Sequence, residues 1–216
     1  MNVNIPDRDF DACIFDCDGT LADTMPLHYR AWSRLVAEAG GHFPVELFYS
    51  WGGRPSEEIV ASLNALHPGK LNLDPVRASA VKEEYFVELL PEVRPIVPVV
   101  EFARQWHGRG KPLAVSSGGY RKFVEMTLEA IGVRDLFGIV VCAEDYARGK
   151  PHPDPFLTAA ARLGIAPERC LVFEDSPAGI AAARAAGMHC VVVRLPEEKE
   201  EREKKVPDCL RIQSEA

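Results

Sequence analysis

The stretch FDCDGTLADT, Phe15 to Thr24, sets Asp16, Asp18 and Asp23 close together, directly after the apolar run Ala12 to Phe15. Carboxylates repel one another and aspartate is poorly suited to a strand. A strand end that carries them therefore needs a positive partner. Two further polar groups follow apolar runs in the same way: Ser116 and Ser117 after PLAV, and Glu174 with Asp175 after CLVF. If the runs are neighbouring strands, four acids converge on one crevice. They would raise one another's pKa values unless a cation neutralised them, and a hard, oxygen-seeking ion such as Mg²⁺ does so most simply. Gly19 and Thr20 permit a tight turn whose backbone N–H groups face an anion, which would make the same corner a phosphate cradle.

The elements that must position these groups follow a repeating pattern. The runs ACIF (12–15), PLAVSS (112–117), GIVVCA (138–143), CLVFED (170–175) and CVVVR (190–194) alternate with helical stretches, as in a parallel sheet built from βαβ units. Gly132, Gly164 and Gly187 predict helix ends, and Pro155 and Pro177 predict first turns. Continuous apolar strands imply that both faces are covered, so the expected fold is a doubly wound α/β sheet. About ninety residues separate the first run from the second, far more than the roughly 10–12 of a minimal crossover. That insert reads as an all-helical cap. Leu27, Ala31, Leu35, Val36 and Ala39 fall at helical spacing, Ser56 starts a second helix, and Asp74 with Pro75 starts a third with apolar positions Val76, Ala80, Val81, Tyr85 and Leu89. The expected division is a core of residues 1–24 and 95–216 and a cap of residues 25–94. Residues 90–98, LPEVRPIVP, with Thr24 to Pro26, are expected to form a two-stranded linker on which the cap swings.

Composition excludes several classes. The chain has 216 residues, 47% of them hydrophobic, and a formal net charge of −7, with no basic stripe for a nucleic-acid backbone. No apolar run approaches the roughly 18 residues of a membrane span, and the start has acids where a signal peptide has lysines, so a cytoplasmic protein with neither a nucleic-acid nor a membrane partner is expected. Of six cysteines, Cys13, Cys142, Cys170 and Cys190 lie in or beside strand-like runs and read as reduced packing residues. The tail EEKEEREKK (197–205) reads as a solvated charged loop or helix turn.

The chain resembles the haloacid dehalogenase superfamily of phosphotransferases, and it does so at four ordered places: DxDGTxxDT at Asp16 to Thr24, Ser116 in AVSSGG, Lys150 in GKPHPDPF, and EDSPAG at Glu174 to Gly179. The resemblance implies that Asp16 is the nucleophile forming an aspartyl-phosphate and that Asp18 is the acid and base. It further implies Mg²⁺ at Asp16, Asp18 (through its main-chain carbonyl) and Asp175, with Glu174 either a ligand or an orienting group. Ser116, Ser117, Gly118 and Lys150 would meet the phosphate. The segment LHYRAW (27–32) is similar to that of β-phosphoglucomutases and sugar phosphatases. By that likeness His28 lies close to Asp18, while Arg54 and Lys82 are cap residues that reach the substrate. Gly119 stands where the mutases carry a lysine; Arg121 is the nearby cation that could compensate, but its register differs, and the glycines favour a plain phosphatase. The resemblance implies a phosphatase of small phosphosugars, acting as a monomer or weak homo-oligomer. The alternatives are a phosphosugar mutase and, more remotely, a receiver-like phosphoacceptor.

Overall fold

The computed structural model describes residues 9–194. Five parallel strands form one sheet: β1 (Ala12–Phe15), β2 (Leu113–Ser116), β3 (Ile139–Val141), β4 (Cys170–Glu174) and β5 (His189–Val192), in the order β3-β2-β1-β4-β5. Register is fixed by pairs such as Ile14 with Ala114 and Val172. Side chains alternate between two covered faces, as the period of a strand requires. Cys13, Phe15, Leu113, Val115, Leu171 and Phe173 pack with α5 (Val97–Gly108) and α6 (Arg121–Ala130). Ala12, Ile14, Ala114 and Val172 pack with α7 (Asp154–Leu163) and α8 (Pro177–Ala185). Small alanines on α7 and α8 let these helices approach the sheet, whereas Phe15 stacks on Phe173 at 4.7 Å on the other face. Strand order reverses at β1, which opens the crevice beyond its C-terminal end. Cys13, Cys142 and Cys170 are buried in these two cores, and Cys190 packs partly against the second.

Between β1 and β2 the chain forms α1 (Met25–Glu38), α2 (Val45–Ser50), α3 (Ser56–Leu66) and α4 (Pro75–Leu89). They enclose a core of their own, including Trp32, Val36, Phe43, Phe48, Val60 and Leu63. The α4 helix starts where Asp74 accepts a hydrogen bond from the Arg77 N–H at 2.8 Å. Its inward face differs from expectation. Ala78, Ser79, Lys82 and Phe86 are buried, while Val76 is 72% exposed and Ala80 is exposed. A buried lysine and serine interrupt the hydrophobic period of this helix, so pattern alone shifts the stripe. The short α2 carries no such period and was not legible in the sequence.

The linker also forms one step earlier than expected. Asp23 N–H donates to the Arg94 carbonyl and Ile96 N–H to the Leu21 carbonyl, both at 2.9 Å, so residues 21–23 rather than Thr24 to Pro26 make the paired strand. Pro26 instead opens α1 at its first turn, a position that needs no N–H donor. The 197–205 tail lies outside the described residues.

Candidate active site

The loop after β1 turns back on itself, with the Leu21 and Ala22 N–H groups both donating to the Cys17 carbonyl at 3.0 Å. Gly19 takes φ +84°, and a Cβ there would stand 2.4 Å from Asp175 Oδ2. Glycine is required for the turn and for the approach of β4's carboxylate. Thr20 donates its hydroxyl to Asp175 Oδ1 at 3.1 Å, joining the two strand ends directly.

Lys150 comes from the loop before α7 and is 5% exposed. Its ammonium donates to Asp16 Oδ1 at 2.6 Å, to Glu174 Oε1 at 2.9 Å and to the Ser116 carbonyl at 3.1 Å. Glu174 is engaged on both oxygens: Ser176 N–H donates to Oε2, and the Ser176 hydroxyl reaches Oε1 at 3.2 Å. Gly179 makes room for that carboxylate, since a Cβ there would lie 1.6 Å from Oε1. The same serine caps α8 by accepting from the Gly179 N–H. Ser116 is fully buried, and its hydroxyl has no partner. Such an orphan is costly unless a ligand meets it.

Asp16, Glu174 and Asp175 present carboxylate oxygens all within 4.8 Å of one another. Burial pushes Asp16 well up, with Glu174, Asp175 and Asp18 adding to the rise and Lys150 opposing it. Burial and Glu174 likewise push Asp175 to about 7. Burial opposes the Lys150 charge, but Asp16 and Glu174 outweigh it and hold the ammonium above its ordinary range. The partners thus pull opposite ways: Lys150 behaves as an ion-paired ammonium, while Asp16 behaves as an under-neutralised acid. Both follow from one shortfall, because a single ammonium faces three carboxyls. A divalent cation supplies the two missing charges, and the all-oxygen donor set suits Mg²⁺.

Asp18 faces the other way. It accepts from the Thr24 hydroxyl at 2.7 Å and meets His28 Nε2 at 3.3 Å. Burial pushes Asp18 up, but the hydrogen bonds of His28 and Thr24, with the charge of Lys82, bring it down to about 2. Lys82, 4% exposed on α4, contacts His28 Nδ1 at 2.8 Å and Glu83 Oε1 at 2.9 Å. An ammonium has no acceptor, so Nδ1 must accept and the ring proton sits on Nε2, aimed at Asp18. The His28 ring stacks on Phe86 with centroids 4.0 Å apart, which fixes its orientation. Beside Asp18 and His28 is a cavity of about 30 Å³, space for one water.

Most residues singled out from the sequence are brought together here. Ser117 serves the turn as well, since its N–H donates to the Val141 carbonyl and its hydroxyl accepts from Gly119 N–H. Gly118 stands exposed at the same strand end. Arg54 is elsewhere engaged: its guanidinium donates to Ser62 at 3.0 Å, lies 3.7 Å from Glu58 and packs over Trp51. It belongs to the loop whose Gly53 approaches Ser176 and Ala178. Sequence reasoning did not find Ser176, Glu83 or Tyr120. A serine in EDSPAG gives no sign that it holds the glutamate two places before it, and the other two reach the site only through packing.

A parallel sheet with acids at adjoining strand ends, a buried lysine between them and a helical insertion after the first strand defines a phosphotransferase-type α/β hydrolase. The chain belongs to the haloacid dehalogenase-like hydrolase family, whose sequence model matches residues 10–187. It is 38% identical over 182 residues to the fructose-1-phosphate phosphatase YqaB of Escherichia coli (strain K12), covering 84% of this chain and 95% of that protein. It is 32% identical over 180 residues to a phosphorylated carbohydrates phosphatase of Thermotoga maritima, covering 82% of each. Among solved structures, CbbY from Rhodobacter sphaeroides in complex with phosphate superposes with TM-score 0.76 at 28% identity, covering 84% of each chain. The β-phosphoglucomutase of Clostridium difficile gives TM-score 0.76 at 28% identity, covering 89% of this chain and 88% of that one.

Proposed function

We propose that the protein is a magnesium-dependent phosphatase that hydrolyses a small phosphorylated sugar through an aspartyl-phosphate. One observation carries this reading: two aspartates from a single turn have opposite surroundings, Asp16 against a buried lysine and Asp18 against a histidine and a threonine. The Asp16 carboxylate attacks phosphorus in line. The ester P–O bond breaks, and the leaving oxygen takes a proton from Asp18. In this arrangement His28, Thr24 and Lys82 hold Asp18 as the carboxylate, the form that takes a proton from water in the second half-reaction; for the first it must take up a proton before the ester bond breaks. Water then gives its proton to Asp18 and attacks the same phosphorus, releasing phosphate and restoring Asp16. Lys150 and the unpartnered Ser116 hydroxyl balance charge on the transferring phosphoryl. Mg²⁺ held by Asp16, Asp175 and the Asp18 main-chain carbonyl would neutralise the acids and the phosphoryl oxygens. Glu174, with both oxygens engaged, orients Lys150.

We further infer that residues 25–94 act as a cap on a core that starts before residue 24 and resumes at residue 95. The cavity beside Asp18, about 30 Å³, is too small for a sugar phosphate, which therefore enters only if the cap moves. The relatives' names, a fructose-1-phosphate phosphatase and a carbohydrates phosphatase, support the substrate class. A mutase needs a second phosphate site. Gly119 offers no charge there, and Arg121 is bound to the Val140 carbonyl and to Asp145, which argues against that reading. The test is a panel of sugar phosphates assayed for free phosphate with and without Mg²⁺, beside a coupled assay turning β-glucose 1-phosphate into glucose 6-phosphate with the bisphosphate present. Mg²⁺-dependent phosphate release that vanishes in Asp16→Asn is expected; isomer formed without phosphate release overturns the reading.

A further inference from the structure

The loop between β3 and α7 does more than carry Lys150. Tyr146, four residues before the lysine, is half-buried and packs against the core of Ala114, Val141 and Phe156. Its hydroxyl donates to the Ser117 carbonyl at 3.1 Å. Burial pushes the phenol up to about 12 against the pull of Lys150, so the hydroxyl keeps its proton. One loop thus ties down two successive peptides at the end of β2, Lys150 at the Ser116 carbonyl and Tyr146 at the Ser117 carbonyl. In a parallel sheet the backbone groups of successive residues face opposite neighbours. At Ser117 both face β3: the N–H donates to the Val141 carbonyl at 2.9 Å, and the carbonyl takes the Tyr146 hydroxyl, since the Ala143 N–H is bound to the Gly119 carbonyl at 3.0 Å. The Ser116 carbonyl faces the other way, where Lys150 joins it to Asp16. A trans peptide sets its N–H opposite its own carbonyl, so pinning the Ser117 carbonyl turns the Gly118 N–H to that same side, toward Asp16. The Gly118 N–H has no acceptor among the described residues.

We propose that Tyr146 is a positioning residue for phosphoryl transfer: by holding the Ser117 carbonyl it aims the Gly118 N–H at the phosphoryl group on Asp16, and it fixes the loop from which Lys150 reaches the same group. The inference rests on the phosphatase reading above. A backbone N–H set in advance needs no reorientation as charge gathers on the phosphoryl oxygens, and a donor acts most strongly there. Without the hydroxyl, the Ser117–Gly118 peptide is free to turn, because glycine restrains its backbone least of all residues. The Lys150 loop also loses one of its two ties to β2. Tyr146 itself meets neither the substrate nor a transferred proton, and its effect passes through Gly118 and Lys150.

The test uses Tyr146→Phe, which removes the hydroxyl and leaves the ring in its packing. Phosphate release from the fastest sugar phosphate of the panel is measured from pH 6 to 9 in parent and variant, beside inhibition by orthovanadate, whose five-coordinate form resembles the phosphoryl in transit. Thermal unfolding of each protein gives its folded fraction, and rates are taken per folded molecule, so a variant that folds poorly is still read. In Tyr146→Phe kcat/KM should fall at least about tenfold, and orthovanadate should inhibit more weakly by a similar factor. The ratio of parent to variant should stay constant across that pH range, because the hydroxyl is protonated throughout. A merely structural role would lower Tm and leave both kcat/KM per folded molecule and orthovanadate inhibition as in the parent, which overturns the inference. A ratio that changes with pH overturns it too, since Tyr146 would then be a titrating group. A parent that releases phosphate from none of the panel overturns the phosphatase reading, and this inference with it.

Discussion

Without metal, the protein should lose stability as pH rises from 5 to 7, and Mg²⁺ should remove that loss. Asp175 has a folded pKa of about 7 against an ordinary 3.8, raised first by burial and then by Glu174. The folded state therefore holds a proton that the unfolded chain has already released. That contribution is complete below about pH 4 and is lost as pH rises through 7. Three units correspond to about 4 kcal/mol at full effect, of which about 2 kcal/mol falls between pH 5 and 7. The Asp175 carboxyl keeps some solvent contact, so screening reduces the latter to about 1–2 kcal/mol. For a chain of this size that is a fall in Tm of about 3–6 °C. Asp16 is shifted in the same direction by burial and its neighbours, and adds to the slope. Asp18, brought down to about 2, acts below this window and cannot mask it. The assay is thermal unfolding at pH 5, 6 and 7 in EDTA and in MgCl₂, with Asp175→Asn beside the parent. A flat or rising Tm in EDTA, or an equal slope in Asp175→Asn, would refute the charge accounting for the acidic cluster.

Asp18→Asn should lower kcat by about 10²–10⁴-fold in a free-phosphate assay, because general acid and base work is lost while the amide oxygen can still accept from Thr24 and keep the turn. Gly179→Ala should be destabilised by at least about 2 kcal/mol in a denaturant titration, since its Cβ would occupy the place of the Glu174 carboxylate and displace the partner of Lys150. In Lys82→Met the His28 ring is no longer forced to carry its proton on Nε2; kcat should fall at least about tenfold and the acid limb of the kcat profile should shift to higher pH, whereas an unmoved profile would show that Lys82 only packs.

Much of this site was legible in the sequence because its groups sit at strand ends, and strand ends are marked by local pattern. Asp16, Asp18, Ser116, Glu174 and Asp175 each follow an apolar run, and the parallel sheet then gathers them without further instruction. The order β3-β2-β1-β4-β5 places β1 between the serine strand and the glutamate strand, so sequence distances of about a hundred residues close to a single hydrogen bond such as Lys150 to Asp16. What lay beyond local pattern was the partition of charge. Only packing decides that one lysine faces three acids while Asp18 is handed to a histidine from α1 and a lysine from α4. The same holds for the inward face of α4, where Lys82 is buried because His28 and Glu83 satisfy it, a condition no periodicity can express. Side-chain type and spacing therefore determined which atoms could do chemistry, and tertiary contacts, through burial and the field of neighbours, decided the protonation and orientation in which each one stands.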